Sequence, residues 1–184
     1  MFRVEDWEQM FEYKLDYGCY VATWSPDGKF LATRGHVFKV EDWKPIFKYK
    51  PGKVVAWSLD GKFLAIGGYG FVRVFKVRDW QQVFEWKHSK EVKVLAWSPD
   101  GKFLATWGSE GYVRVFRVEN WIMVFKHKCQ NWIYVFQGAE YSREGRSAST
   151  TLTWSPDGKY LVTGRYVFSA NILTTIYRYY REYI

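Results

Sequence analysis

The residues best suited to acid–base or metal chemistry in this chain are three histidines, His36, His88 and His127, and two cysteines, Cys19 and Cys129. A general base or nucleophile needs a second group beside it that orients or activates it. No histidine here has a carboxylate partner at a repeated spacing, and all three fall in or beside predicted loops, where solvated side chains are the expectation. His127 and Cys129 are close in sequence, but two ligands fall short of a metal site, and the cysteines lack Cys-x-x-Cys spacing. Gly67-Gly68-Tyr69-Gly70 is glycine-rich, yet a strand pattern follows it, whereas a phosphate loop opens a helix. Asp27, Asp60, Asp100 and Asp157 recur at one fixed turn position, so turn geometry accounts for them without a calcium or catalytic role. The sequence therefore predicts no catalytic centre, no metal and no cofactor.

The elements that would position any binding residues are repeats. Trp24-Ser25-Pro26-Asp27-Gly28-Lys29-Phe30-Leu31-Ala32-Thr33 returns at Trp57 to Ile66, at Trp97 to Thr106 and at Trp154 to Thr163. In the Ser-Pro-Asp-Gly turn, proline presets φ, aspartate accepts turn hydrogen bonds and glycine takes the left-handed conformation, which predicts a tight hairpin. A second element, Phe2-Arg3-Val4-Glu5-Asp6-Trp7, recurs at Phe38 to Trp43, Phe75 to Trp80 and Phe116 to Trp121. Glu5-Asp6 and Glu41-Asp42 are expected to cap the turn into a fourth strand. Between the two elements lies a glycine-rich connection, such as Gly67 to Gly70 or Gly108 to Gly111. Four antiparallel strands in each unit of roughly 35 to 40 residues make a propeller blade.

With these motifs, the chain resembles the WD-repeat β-propeller family over nearly its whole length. The hairpin followed by Gly-x-Val-Arg-Val-Phe is similar to the family's first three strands. Where the family usually has Trp-Asp, this chain has Phe38-Lys39, Phe75-Lys76 and Phe116-Arg117. The Gly-His pair is also absent, so the family's Asp/His/Ser/Trp hydrogen-bond network is expected to be missing, with aromatic and aliphatic burial replacing it. The expected organisation is one all-β propeller-like domain over residues 1–184. A half blade or clasp occupies 1–14, blades fall at 19–50, 53–87 and 92–127, and a last blade falls at 150–180. The hairpin tryptophans are spaced by 33, 40 and then 57 residues. The excess at 128–149 reads as an insertion, either a binding loop or a tolerated duplication. The resemblance implies rings of usually seven blades, so about four leave two alternatives: a tight closed ring, or an open arc whose exposed faces another copy or partner covers.

Trp24, Trp57, Trp97 and Trp154, with Phe75 and Phe116, are assigned to inter-blade core. The binding candidates are residues outside the repeat on the face where strand two meets three and strand four meets one: Arg34, His36, Tyr69, Lys90, Trp107, Arg143, Arg146 and Arg165. Lys53 and Lys93, each four residues before a hairpin tryptophan, would aim toward the propeller axis. The Tyr-rich end, Tyr177 to Ile184, reads as an outer strand first and a partner tail second.

Composition agrees with an ordered β protein: 48% hydrophobic and 21% aromatic, with 11 Trp, 14 Tyr and 14 Phe. Lys and Arg outnumber Asp and Glu by 27 to 19, for a net charge of +8, which raises the prospect of nucleic acid, anionic lipid or an acidic protein as partner. No stretch approaches the roughly 18 apolar residues of a membrane span, and no signal peptide opens the chain. A soluble, cytoplasmic protein with reduced cysteines is expected. The functional expectation is a non-enzymatic scaffold that mediates protein–protein interaction, as part of a homo-oligomer or larger assembly. The alternative is a nucleic-acid-binding protein whose basic and aromatic loops grip backbone and bases.

Overall fold

The computed structural model describes residues 5, 8, 9, 12, 21–128, 152–163 and 166–169. Cys19, Cys129, the 128–149 insertion beyond Lys128 and the Tyr-rich end lie outside them, as does most of the 1–14 segment. The described residues form thirteen strands and no helix. Among them no helix is therefore long and apolar enough to cross a membrane.

The hairpin turns form as their residue types dictate. Ser25 Oγ donates to Asp27 Oδ1 at 2.6 Å while accepting from the Phe30 N–H at 2.9 Å. Asp27 Oδ1 also accepts from the Lys29 N–H, and Gly28 closes the turn at φ 71°. The same bonds recur around Asp60, Asp100 and Asp157. In each unit the hairpin links an innermost strand to a second one. Trp24, Trp57, Trp97 and Trp154 pair with Leu31, Leu64, Leu104 and Leu161.

The first sheet is four antiparallel strands in sequence order: β1 (Ala22–Trp24), β2 (Phe30–Thr33), β3 (His36–Lys39) and β4 (Pro45–Lys48). The next two units are continuous with each other. β5 (Val54–Trp57), β6 (Phe63–Lys76), β7 (Gln82–Trp97), β8 (Phe103–Gly108), β9 (Tyr112–Arg117) and β10 (Ile122–Lys128) form one six-stranded sheet. β6 supplies the second and third strands of one unit, and β7 the fourth strand of that unit and the first of the next. β11 (Leu152–Trp154), β12 (Tyr160–Thr163) and β13 (Tyr166–Ser169) form the last sheet.

Two expected connections therefore run as strand. Gly67 to Gly70 lies within β6, where a register shift between Tyr69 and Phe71 and a φ of 78° at Gly70 bend the chain without ending its pairing. Likewise Glu91, in the middle of β7, pairs with Tyr69.

The core lies between successive units. Ala32, Val37 and Tyr49 of the first pack with Trp57, Leu64 and Ile66 of the second. Ala65, Val72 and Val74 pack with Val92, Leu95 and Leu104 of the third. Ala105, Val113 and Val115 pack with Leu152, Trp154 and Leu161 of the last. Burial of these aliphatic and aromatic groups supplies the cohesion expected from the composition.

Candidate functional site

One contact repeats at every junction between units. Trp57 Nε1 donates to the Thr23 carbonyl at 3.1 Å, Trp97 Nε1 to Ala56 at 3.0 Å and Trp154 Nε1 to Ala96 at 3.1 Å. Each acceptor is the residue before the hairpin tryptophan of the preceding unit. The same indoles stack on Phe30, Phe63 and Phe103 of that preceding unit, with interplanar angles of 16°, 16° and 21°. The inter-blade placement of Trp57, Trp97 and Trp154 follows. Trp24 departs from it: the side chain is half exposed, because among the described residues no strand precedes β1.

A second set of tryptophans closes the first two junctions. Trp80 stacks on Phe47 at 5.0 Å and meets Phe30 and Trp57 edge-on. Trp121 stacks on Phe84 at 4.8 Å and meets Phe63 and Trp97 edge-on. These two and Trp43 have φ of 56° to 57°, in the left-handed region that a bulky residue rarely occupies. The preceding residues set up the turn: Asp42, Asp79 and Asn120 accept from the backbone N–H two residues on. Asp42 caps the turn as expected, while Glu41 pairs with Lys39. The sequence shows that these tryptophans recur but gives no sign of their backbone conformation.

On the face where strand two meets three and strand four meets one, the structure joins three of the expected residues. Lys53 Nζ donates to the Tyr69 hydroxyl at 2.8 Å and lies 4.5 Å from the Tyr69 ring centroid. Both Lys53, at 2.6 Å, and Lys93 pair with the buried carboxylate of Glu91. Burial works against the Glu91 charge, but the two lysines prevail and hold its pKa below the usual range. The hydrogen bond to Glu91, then that to Tyr69, raises the Lys53 pKa. Tyr69 itself remains 67% exposed. Glu91, which ties two adjacent units together, was missed by the sequence reading; its signal is a lone acid between Lys90 and Lys93.

The other candidates fall elsewhere. Arg34 and His36 line a cleft of about 350 Å³ with Lys48, Tyr49, Lys50 and Pro51. Lys90 is exposed, and Trp107 is half-buried with its Nε1 enclosed. Arg143, Arg146 and Arg165 lie outside the described residues.

The histidines correct an expectation. His36 and His88 are buried rather than solvated, because the strands pair further toward the loops than expected. His127 is half-buried within β10, stacked on Phe125. The polar network expected to be missing is also partly present in the third unit. His88 Nδ1 lies 3.0 Å from Glu110 Oε1, which also accepts from Arg114. The same Nδ1 lies 3.3 Å from Arg114 Nη1, so it faces an acceptor and a donor together, and the tautomer of His88 decides which of the two it bonds. Burial, aided by Arg114, lowers the His88 pKa despite Glu110. Burial would raise that of Glu110, but hydrogen bonds from its own backbone, His88 and Arg114 hold it down. Among the described residues no group of three or more His, Cys, Asp or Glu could hold a metal.

A family model described as the anaphase-promoting complex subunit 4 WD40 domain matches residues 69–140. A second, described as WD domain, G-beta repeat, matches 139–170. No curated protein matches the chain. A chain from the crystal structure of the mitotic checkpoint complex is similar in fold, with a TM-score of 0.61 and 20% identity. The alignment covers 82% of this chain and 46% of that one, so this chain spans about half its length. Repeated Trp-Ser-Pro-Asp-Gly hairpins, antiparallel four-stranded units stacked through them and two adjoining WD models agree that the chain belongs to the WD-repeat family.

Proposed function

We propose that the chain is a non-enzymatic scaffold whose Lys53–Tyr69–Glu91–Lys93 face binds a protein partner. The observation that carries this is Tyr69, a large exposed aromatic fixed by Lys53 on a framework of paired strands. A tyrosine held in one orientation offers contact area at small entropic cost, the property of an interface anchor. The matched checkpoint-complex chain, itself a component of an assembly, and the two WD models favour the same class of role. Arg34, His36, Lys90, Trp107, Arg143, Arg146 and Arg165 are proposed as further partner contacts.

A nucleic-acid role draws on the net charge of +8. At the cluster, however, Glu91 offsets one of the two lysines, which favours a protein partner over a phosphate backbone.

The test is affinity capture with the chain and its Tyr69→Ala variant, followed by titration of any purified partner. Partner affinity is expected to fall more than about tenfold in the variant at unchanged melting temperature. Equal affinity for both chains would remove Tyr69 from the site. Binding to single-stranded nucleic acid that weakens steeply with salt, with no protein captured, would replace the reading.

A further inference from the structure

The junctions described above have a fixed chemistry, and both ends of the described array expose one half of it. At the first end, Trp24 occupies the position of Trp57, Trp97 and Trp154, but it is 48% exposed, and among the described residues its ring meets only Trp43. Leu31, equivalent to the fully buried Leu64, Leu104 and Leu161, is only half-buried there. At the last end, Tyr160 occupies the position of Phe30, Phe63 and Phe103, each covered by a following indole. Tyr160 is 46% exposed, and among the described residues no aromatic ring stacks on it. Val162 is half-buried where Ala32, Ala65 and Ala105 are fully buried. The Thr153 residue that would supply the carbonyl acceptor is exposed as well.

We propose that the first-unit face of one chain docks on the last-unit face of a second copy, with Trp24 stacked on the partner copy's Tyr160 and donating to its Thr153 carbonyl. The inference extends the scaffold reading to a different surface from the Tyr69 face. The occupant follows from continuity with the three junctions already formed: the missing half of each end is present on the other end. Within one copy Trp24 and Tyr160 do not cover each other, since both stay about half exposed.

Such a contact is head-to-tail, so it either closes or propagates. Two copies amount to about the length of the structurally similar checkpoint-complex chain, of which one spans 46%. The geometry therefore points to a closed ring of two copies that uses both ends of each.

Sedimentation of the 184-residue chain from low concentration to about 100 μM tests this. The expected species is twice the 22.0 kDa chain mass. Trp24→Ala and Tyr160→Ala should each weaken association more than about tenfold. Mixing the two variants should restore it in part, because the pair retains one intact Trp24–Tyr160 contact, and misfolded chains would not complement. A single-chain mass throughout, a ladder of larger species, or association untouched by either variant would overturn the proposal. The Tyr69→Ala variant should associate like the unmodified chain, so loss of partner binding and loss of self-association are separable.

Discussion

Trp43, Trp80 and Trp121 hold the backbone conformation of a glycine, and their side chains are the reason it persists. A left-handed non-glycine residue costs about 1–2 kcal/mol, which the burial of the indole together with its stack on Phe47 or Phe84 outweighs. Trp80→Gly removes the strain and the ring together. The net effect should be a loss of about 2–3 kcal/mol, because a half-buried tryptophan contributes more than the backbone relief returns. A denaturant titration showing Trp80→Gly as stable as the unmodified chain would refute this ordering.

The buried charges set a pH dependence. His88 has a lowered pKa in the fold, so the unfolded chain takes up its proton first and stability falls as pH drops below the ordinary 6.5. Glu91 and Glu110 are also lowered, so their contribution is complete above the ordinary 4.5 and disappears as pH falls below it. The melting temperature should therefore decline in two steps on acidification. His88→Gln should remove the first step and keep the second; a first step that survives the substitution would assign it to another group.

At the scale of elements, the hairpins were legible residue by residue, because Ser-Pro-Asp-Gly fixes its own turn through short-range bonds. The positions of Trp57, Trp97 and Trp154 were legible for the same reason, since their spacing from the turn is constant. Less local features were not. Glu110 pairs with His88 across 22 residues, and Glu91 meets Lys53 from a neighbouring unit. Neither pairing leaves a periodic trace. The glycine-rich stretch of β6 misled the reading in another way, since glycine signals a turn whereas here one reason for it is close packing. A Cβ on Gly67 would stand 2.7 Å from Val54 and 2.8 Å from Val92. Gly67→Ala should accordingly destabilise by about 1–3 kcal/mol, an overpacking cost that thermal melting would register. An unchanged melting point would mean that these two units can separate freely.

For the molecule as a whole, the account rests on one contact used repeatedly: an indole that stacks on the preceding unit and donates to its backbone. Among the described residues it forms at three junctions, and each end of the described array leaves half of it exposed. Hydrogen exchange of the indole Nε1–H groups, followed by NMR with nitrogen-15-labelled tryptophan over a dilution series, reads every junction at once. Trp57, Trp97 and Trp154 should be protected at all concentrations, whereas Trp24 should exchange rapidly in dilute solution and become protected as the concentration rises. Protection of Trp24 equal to the others at every dilution would show a chain closed on itself. Rapid exchange at all four would contradict the repeated contact on which the architecture is built.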